Sequence, residues 1–149
     1  MLNKCKEFKL VLRGSLTILA LLLLQACSDG VDVQHQDSQT QRWYSLAQVA
    51  QGKEIFIENC AVCHGRAAQA TKNWRVPNEH GKYPTPPLNG TAHAWHHPLN
   101  MLIDTIENGT KGGMPAWKSQ LNKQQITATI AWIESHWPEP IYQAWKKRH

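Results

Sequence analysis

The chain has 149 residues and a formal net charge of +5 at pH 7, with 16 Lys and Arg against 11 Asp and Glu. Much of that excess sits at the N-terminus, where residues 1–26 hold four of the basic side chains and one of the acidic ones. Without them the balance is 12 to 10, a net +2, too weak to argue for a nucleic-acid partner, and residues 27–149 suffice for one domain.

The first segment reads as a leader. Met1 to Gly14 is basic and Ser15 to Leu24 almost wholly apolar, the order of a secretory signal. The apolar run is shorter than the roughly 20 residues a settled membrane span needs. Leu24-Gln25-Ala26-Cys27 fits an ordinary cleavage site badly, because Leu24 occupies the minus-three position. It resembles a bacterial lipoprotein box instead, in which Cys27 is diacylated and becomes the mature N-terminus; a plain secreted protein is the alternative. Ser28 to Arg42 is polar and reads as a tether holding the domain near a membrane. The expected division is therefore 1–26 signal peptide, 27–42 lipidated Cys and tether, and 43–149 domain. Ser28 directly after the Cys leans toward the outer membrane.

The first helix opens at Ser45. Ser45 and Gln48 form a capping box, with Tyr44 and Val49 as its hydrophobic staple, and the helix runs to about Asn59. Val49, Gly52 and Phe56 share a stripe. A glycine within a helix costs about 1 kcal/mol relative to Ala, so Gly52 predicts close approach of another helix, with a tolerated surface glycine as the bland alternative.

Cys60-Ala61-Val62-Cys63-His64 follows, the signature of covalent haem attachment. On one tight helical turn both thiols reach the same side, where they can form thioethers, and His64 can bind the iron. A redox Cys-x-x-Cys or half of a zinc site is the rival reading. Zinc would want two further ligands at matching spacing, and the other cysteines, Cys5 and Cys27, lie in or at the end of the leader. On this account Cys5 is discarded, Cys27 carries lipid, and no disulfide remains.

Arg66 to His97 is Pro-rich and aperiodic, a long loop that wants something to pack on; Ala67 to Ala70 predicts a short helical turn within it. A second helix begins with Pro98 as its first residue and carries the stripe Leu99, Leu102, Ile103 and Ile106, stopping at Asn108-Gly109. After a loop at Lys111 to Ala116, a third helix repeats the first one's grammar, with Asn122 and Gln125 as the box and Leu121 and Ile126 as the staple. Ile126, Ile130, Ile133 and Trp137 form its stripe, and Pro138 ends it. Glu139 to His149 predicts a short helix seating Tyr142 and Trp145, with a basic tip of Lys146, Lys147 and Arg148. The fold class is all-α, without strands or repeats.

The order of these elements resembles the class I, monohaem cytochrome c family over about residues 45–137, and the start at Cys27 is similar to its membrane-anchored bacterial members. The resemblance is carried by Gly52 and Phe56, by Pro86-Pro87-Leu88-Asn89-Gly90, by Gly113-Met114-Pro115 and by Trp132. It implies a cytochrome c fold, about three main helices around one covalent haem c, with Gly52 crossing against Trp132. It also implies that the Pro86 carbonyl receives the His64 ring N–H, with Pro87 as the neighbouring candidate, and that Leu88 packs on the haem. For the sixth iron ligand, Met101 faces away from its helix's apolar stripe, whereas Met114 lies in a glycine-rich loop before a proline and matches the family position. His93, His96 and His97 are rival ligands, and packing, capping or propionate contact is the plainer role for them. Trp74, Trp95 and Trp117 lie in loops expected to wrap the haem, and Trp43 and Trp145 are expected to pack together.

An iron with His64 and Met114 on its two axial positions binds neither oxygen nor substrate, and thioether ligation raises the potential relative to two imidazoles. The expectation is a monomeric carrier of single electrons, not an enzyme and without a small-molecule substrate. It would work on the periplasmic side of a bacterial membrane between redox proteins, with Lys111 and Lys118 either steering an acidic partner or simply solvated. An open-site haem protein (ligand sensor or peroxidase-like) and a fixed cytochrome subunit of a membrane oxidase or dehydrogenase are the alternatives.

Overall fold

Two reciprocal caps frame the domain. In the computed structural model, which describes residues 36–149, the Ser45 side chain accepts from the Gln48 amide while the Gln48 side chain accepts from the Ser45 amide. Asn122 and Gln125 repeat the exchange. Each box satisfies two of the amides that a helix start otherwise leaves unpaired. From these caps run α1 (Leu46–Asn59) and, later in the chain, α4 (Lys123–Ser135). Between them lie a single turn, α2 (Ala61–His64), a 3-10 turn at Ala94–His96, and α3 (Leu99–Asn108); α5 (Glu139–Arg148) follows α4. The described residues contain no strand, as an all-α chain requires. The predicted signal, Cys27 and most of the tether lie outside the described residues.

α1 and α4 cross with their backbones touching. A Cβ on Gly52 would lie only 1.9 Å from the Ala128 carbonyl oxygen, so no other residue fits there without moving a helix. The partner expected at this crossing was Trp132, and the structure corrects that. An indole has no room where two backbones meet; Trp132 lies one turn further along α4 and packs on Phe56, one turn beyond Gly52, with ring centroids 4.2 Å apart.

α4 is buried on all sides from Ile126 to Glu134 rather than along the expected single stripe. A helix covered all round marks the centre of the fold. Its threonines bond back to the preceding turn, Thr127 to the Lys123 carbonyl at 2.8 Å and Thr129 to the Gln125 carbonyl at 2.9 Å, which lets them sit in an apolar layer.

α5 is the expected C-terminal helix, ten residues long, so among the described residues it joins the three main helices. Its Tyr142 and Trp145 are buried as expected. Trp43 and Trp145 do not stack on each other. Tyr142 stands between them, its ring 5.6 Å from that of Trp145 and its hydroxyl accepting the Trp43 amide at 3.2 Å.

The end of the expected tether is part of the domain. Residues 37–42 close a turn through the Asp37 amide and the Arg42 carbonyl at 2.7 Å. The Arg42 guanidinium then bonds Tyr44 Oη, the carbonyls of Glu134 and Trp137, and the Glu139 carboxylate, and it lies 4.2 Å above the Tyr142 ring. One side chain thus clamps the chain's entry to the junction of α4 and α5. Two local expectations also differ. Pro98 caps α3 from an extended conformation instead of starting it, a shift of one residue. Ala67 to Ala70 makes no helical turn: Ala68 and Ala70 both take φ of 54°, the left-handed region.

Candidate haem site

Cys60 ends α1 and starts α2, so the attachment motif is built at a helix junction. The amides of Cys63 and His64 both return to the Cys60 carbonyl, at 3.1 and 3.0 Å. This single turn carries both thiols, and both are free, Cys60 partly buried and Cys63 exposed. Burial, with Cys63 nearby, pushes the Cys60 thiol up to about 11, so it stays protonated at neutral pH.

The half-buried His64 ring places Nδ1 3.3 Å from the Pro86 carbonyl oxygen. A carbonyl can only accept, so Nδ1 carries the proton and donates. Burial lowers the imidazole's pKa, opposed by that same hydrogen bond, so the ring is neutral at pH 7. Nε2 makes no hydrogen bond among the described residues, which leaves its lone pair open.

The following loop ties this turn to the proline segment. Gly65 at φ 76° redirects the chain, the Ala68 amide returns to the Gly65 carbonyl at 3.0 Å, and the Ala70 amide to the His64 carbonyl at 2.8 Å. Ala68 is fully buried, and its own carbonyl receives the Leu88 amide at 2.8 Å. The Leu88 carbonyl receives the Trp137 indole N–H at 2.8 Å. Leu88 is partly buried against the core, and Pro87 is buried beside it. Of the two prolines, it is Pro86 whose carbonyl faces the imidazole.

Met114 belongs to a separate loop and is partly buried. The Thr110 amide donates to the Met114 carbonyl at 3.0 Å, and the Gly113 amide donates to the Thr110 carbonyl at 3.1 Å. Gly109 sits at φ +70°, where a Cβ would lie 2.5 Å from the Met114 carbonyl oxygen. A glycine is needed there for the loop to close. Met101 is 48% exposed on the face of α3 opposite buried Leu99 and Ile103.

The histidines around residue 95 gather on α5 instead. His93 and His97 lie 5.8 Å apart in a T-shaped pair, His96 packs on Trp95 at 4.1 Å, and the His97 carbonyl receives the Trp145 indole N–H at 2.8 Å. Burial first, then the neighbouring His93, His96 and His149, lowers the His97 pKa. No hydrogen bond or ring contact joins these three to His64 among the described residues. Trp74 and Trp117 are half-buried in their loops, and Trp95 is half-buried in the 3-10 turn.

Sequence reading missed the Trp137–Leu88 bond, Arg42 and Glu134. Glu134 had one signal, a carboxylate directly after the apolar run that ends at Ile133. The donor set on the attachment turn, two free thiols beside an imidazole that donates from Nδ1 and makes no hydrogen bond at Nε2 among the described residues, fits a covalent haem.

Comparison with known proteins agrees. The family model described as cytochrome C oxidase, cbb3-type, subunit III matches residues 47–133. The chain is similar to the cbb3-type cytochrome c oxidase subunit FixP of Bradyrhizobium diazoefficiens, at 35% identity over 86 residues, which are 58% of this chain and 27% of that protein. The CcoP subunit of Azospirillum sp. (strain B510) is 32% identical over 87 residues, 58% of this chain and 28% of that protein. Cytochrome c6 of Bryopsis maxima is 29% identical over 84 residues, 55% of this chain but 84% of that protein. The chain thus spans only about a quarter of the two oxidase subunits.

Proposed function

The chain belongs to the cytochrome c family described as cbb3-type oxidase subunit III, and from that footing we propose that it is a periplasmic, membrane-tethered electron carrier whose haem iron is held by His64 and Met114. It is an electron-transfer cytochrome, and haem c is its cofactor. The haem supplies the one-electron couple of its iron. Cys60 and Cys63 hold the macrocycle through thioethers. The Pro86 carbonyl keeps the His64 ring in the tautomer that leaves Nε2 unprotonated, and Leu88 would pack against the bound haem. His64 and Met114 would be the residues that hold the iron, and a haem so ligated would exchange single electrons and bind no substrate.

The observation that carries this reading is the His64 ring, tied at Nδ1 to the Pro86 carbonyl and without a hydrogen bond at Nε2 among the described residues, on the same turn as two free thiols. A redox titration with visible spectra on the purified protein tests it. The expected result is a single one-electron transition of a low-spin haem that is indifferent to carbon monoxide. A high-spin spectrum that shifts with carbon monoxide would move the chain to the open-site class.

A second reading has its own support. Relatives named as subunits of a cbb3-type oxidase favour a cytochrome fixed in a membrane redox complex, whereas the match over most of a cytochrome c6 favours a free carrier. Copurification with large membrane proteins after mild detergent extraction would select the fixed subunit. The lipid anchor is assigned to Cys27, and for the choice of membrane Ser28 is the sole pointer, toward the outer one.

A further inference from the structure

We propose that Trp137 is a positioning residue for the iron-binding imidazole: its indole N–H holds the Leu88 carbonyl, and through it the Pro86 carbonyl that receives the His64 Nδ1–H. The inference rests on the reading of His64 as an iron ligand.

Pro86 and Pro87 have no amide hydrogen, so this stretch of chain cannot be pinned by its own N–H groups. Leu88 is the first residue after them that offers both a donor and an acceptor. Its amide is taken by Ala68, on the loop that leaves His64, and its carbonyl by Trp137. The Ala68 bond closes a ring of contacts that begins and ends at His64. That ring moves as a unit unless something outside grips it. From the junction of α4 and α5, Trp137 makes the one hydrogen bond that the chain after Lys123 gives to Pro86–Leu88 among the described residues.

The grip is built, not incidental. Trp137 is 2% exposed, its amide is tied to the Glu134 carbonyl at 3.0 Å, and its ring meets Trp145 edge-on at 5.9 Å. Gly90 lies against it at φ +89°, where a Cβ would sit 3.1 Å from Pro138 Cδ and 3.4 Å from Trp137 Cα. The loop after Leu88 is therefore pressed onto the Trp137–Pro138 corner.

The consequence is electronic. A carbonyl that accepts from a ligating imidazole raises that ligand's basicity, which favours the oxidised iron. Loosening Pro86 should weaken that bond and raise the midpoint potential.

The test is Trp137→Phe in the holoprotein, with Trp145→Phe as control. Trp145 is equally buried and makes a bond of the same 2.8 Å length, but to His97 instead of Leu88, and Phe there keeps a ring beside Trp137 while removing only the His97 bond. In the reduced protein, Trp137→Phe should speed exchange of the His64 Nδ1–H with solvent at least tenfold and raise the potential; Trp145→Phe should lower stability and move neither. Exchange within about twofold of wild type in Trp137→Phe, or an equal effect in Trp145→Phe, would overturn the proposal. Should Trp137→Phe fail to fold, the wild type still decides. The Trp137 indole N–H and the His64 Nδ1–H should then exchange through one opening, with the same denaturant dependence, and different dependences would reject the idea. Reduced wild type without ring-current shifts on His64 would instead remove the ligand reading itself, a separate failure.

Discussion

Trp43 and Glu134, 91 residues apart, meet in the core through a hydrogen bond of 2.8 Å from indole Nε1 to carboxylate Oε2. Glu134 is fully buried, and its other oxygen, Oε1, has no hydrogen-bond partner among the described residues. Around it stand Arg42, which bonds the Glu134 backbone carbonyl, and the Tyr44 and Tyr142 phenols. Burial pushes the carboxyl up to about 8, with the Trp43 bond and the Arg42 charge opposing. The acid is therefore protonated in the folded domain at neutral pH.

That sign sets a pH dependence. The folded state holds a proton that the unfolded chain releases above its ordinary 4.5. This contribution is complete at pH below that value and is lost as pH rises toward 8, at no more than about 1.4 kcal/mol per pH unit. Glu134→Gln keeps an acceptor for Trp43 and should flatten denaturant midpoints between pH 5 and about 8. A variant as pH-sensitive as wild type would place the titrating group elsewhere.

The crossing at Gly52 predicts a steric result. Ala at this position would drive a methyl into the Ala128 carbonyl, and backbone atoms have no rotamer to escape by. Gly52→Ala should destabilise the domain by about 3 kcal/mol or more. Equilibrium unfolding within about 0.5 kcal/mol of wild type would mean the helices have space between them.

Removing either thiol of the attachment turn should loosen the cofactor. Cys60→Ala or Cys63→Ala should leave at most a single thioether, and the double variant should show no covalent haem on a denaturing gel. Full staining in the double variant would refute the attachment.

The axial assignment separates the two methionines. Met114→Ala should give a high-spin haem that binds carbon monoxide, whereas Met101→Ala, altered on an exposed face of α3, should keep the wild-type spectrum. The reverse pattern would exchange their roles.

The proposed lipid anchor rests on one atom, the Cys27 sulfur. Cys27→Ser should release the domain into the soluble periplasmic fraction, and unchanged retention would argue for a different anchor.

What the sequence by itself determined was local. The two capping boxes span four residues each, and the Cys60–His64 turn spans five, so the residues that define them are neighbours in chain and in space. Their geometry follows from helix periodicity and hydrogen bonding within a few residues. Only the tertiary structure could decide which groups meet across long stretches. Trp137 reaches Leu88 over 49 residues, Arg42 reaches Trp137 over 95, and the backbones of Gly52 and Ala128 close on each other. No periodicity encodes such pairs, because each forms only after α1, α4 and α5 have packed and the excluded water leaves those polar groups no other partner.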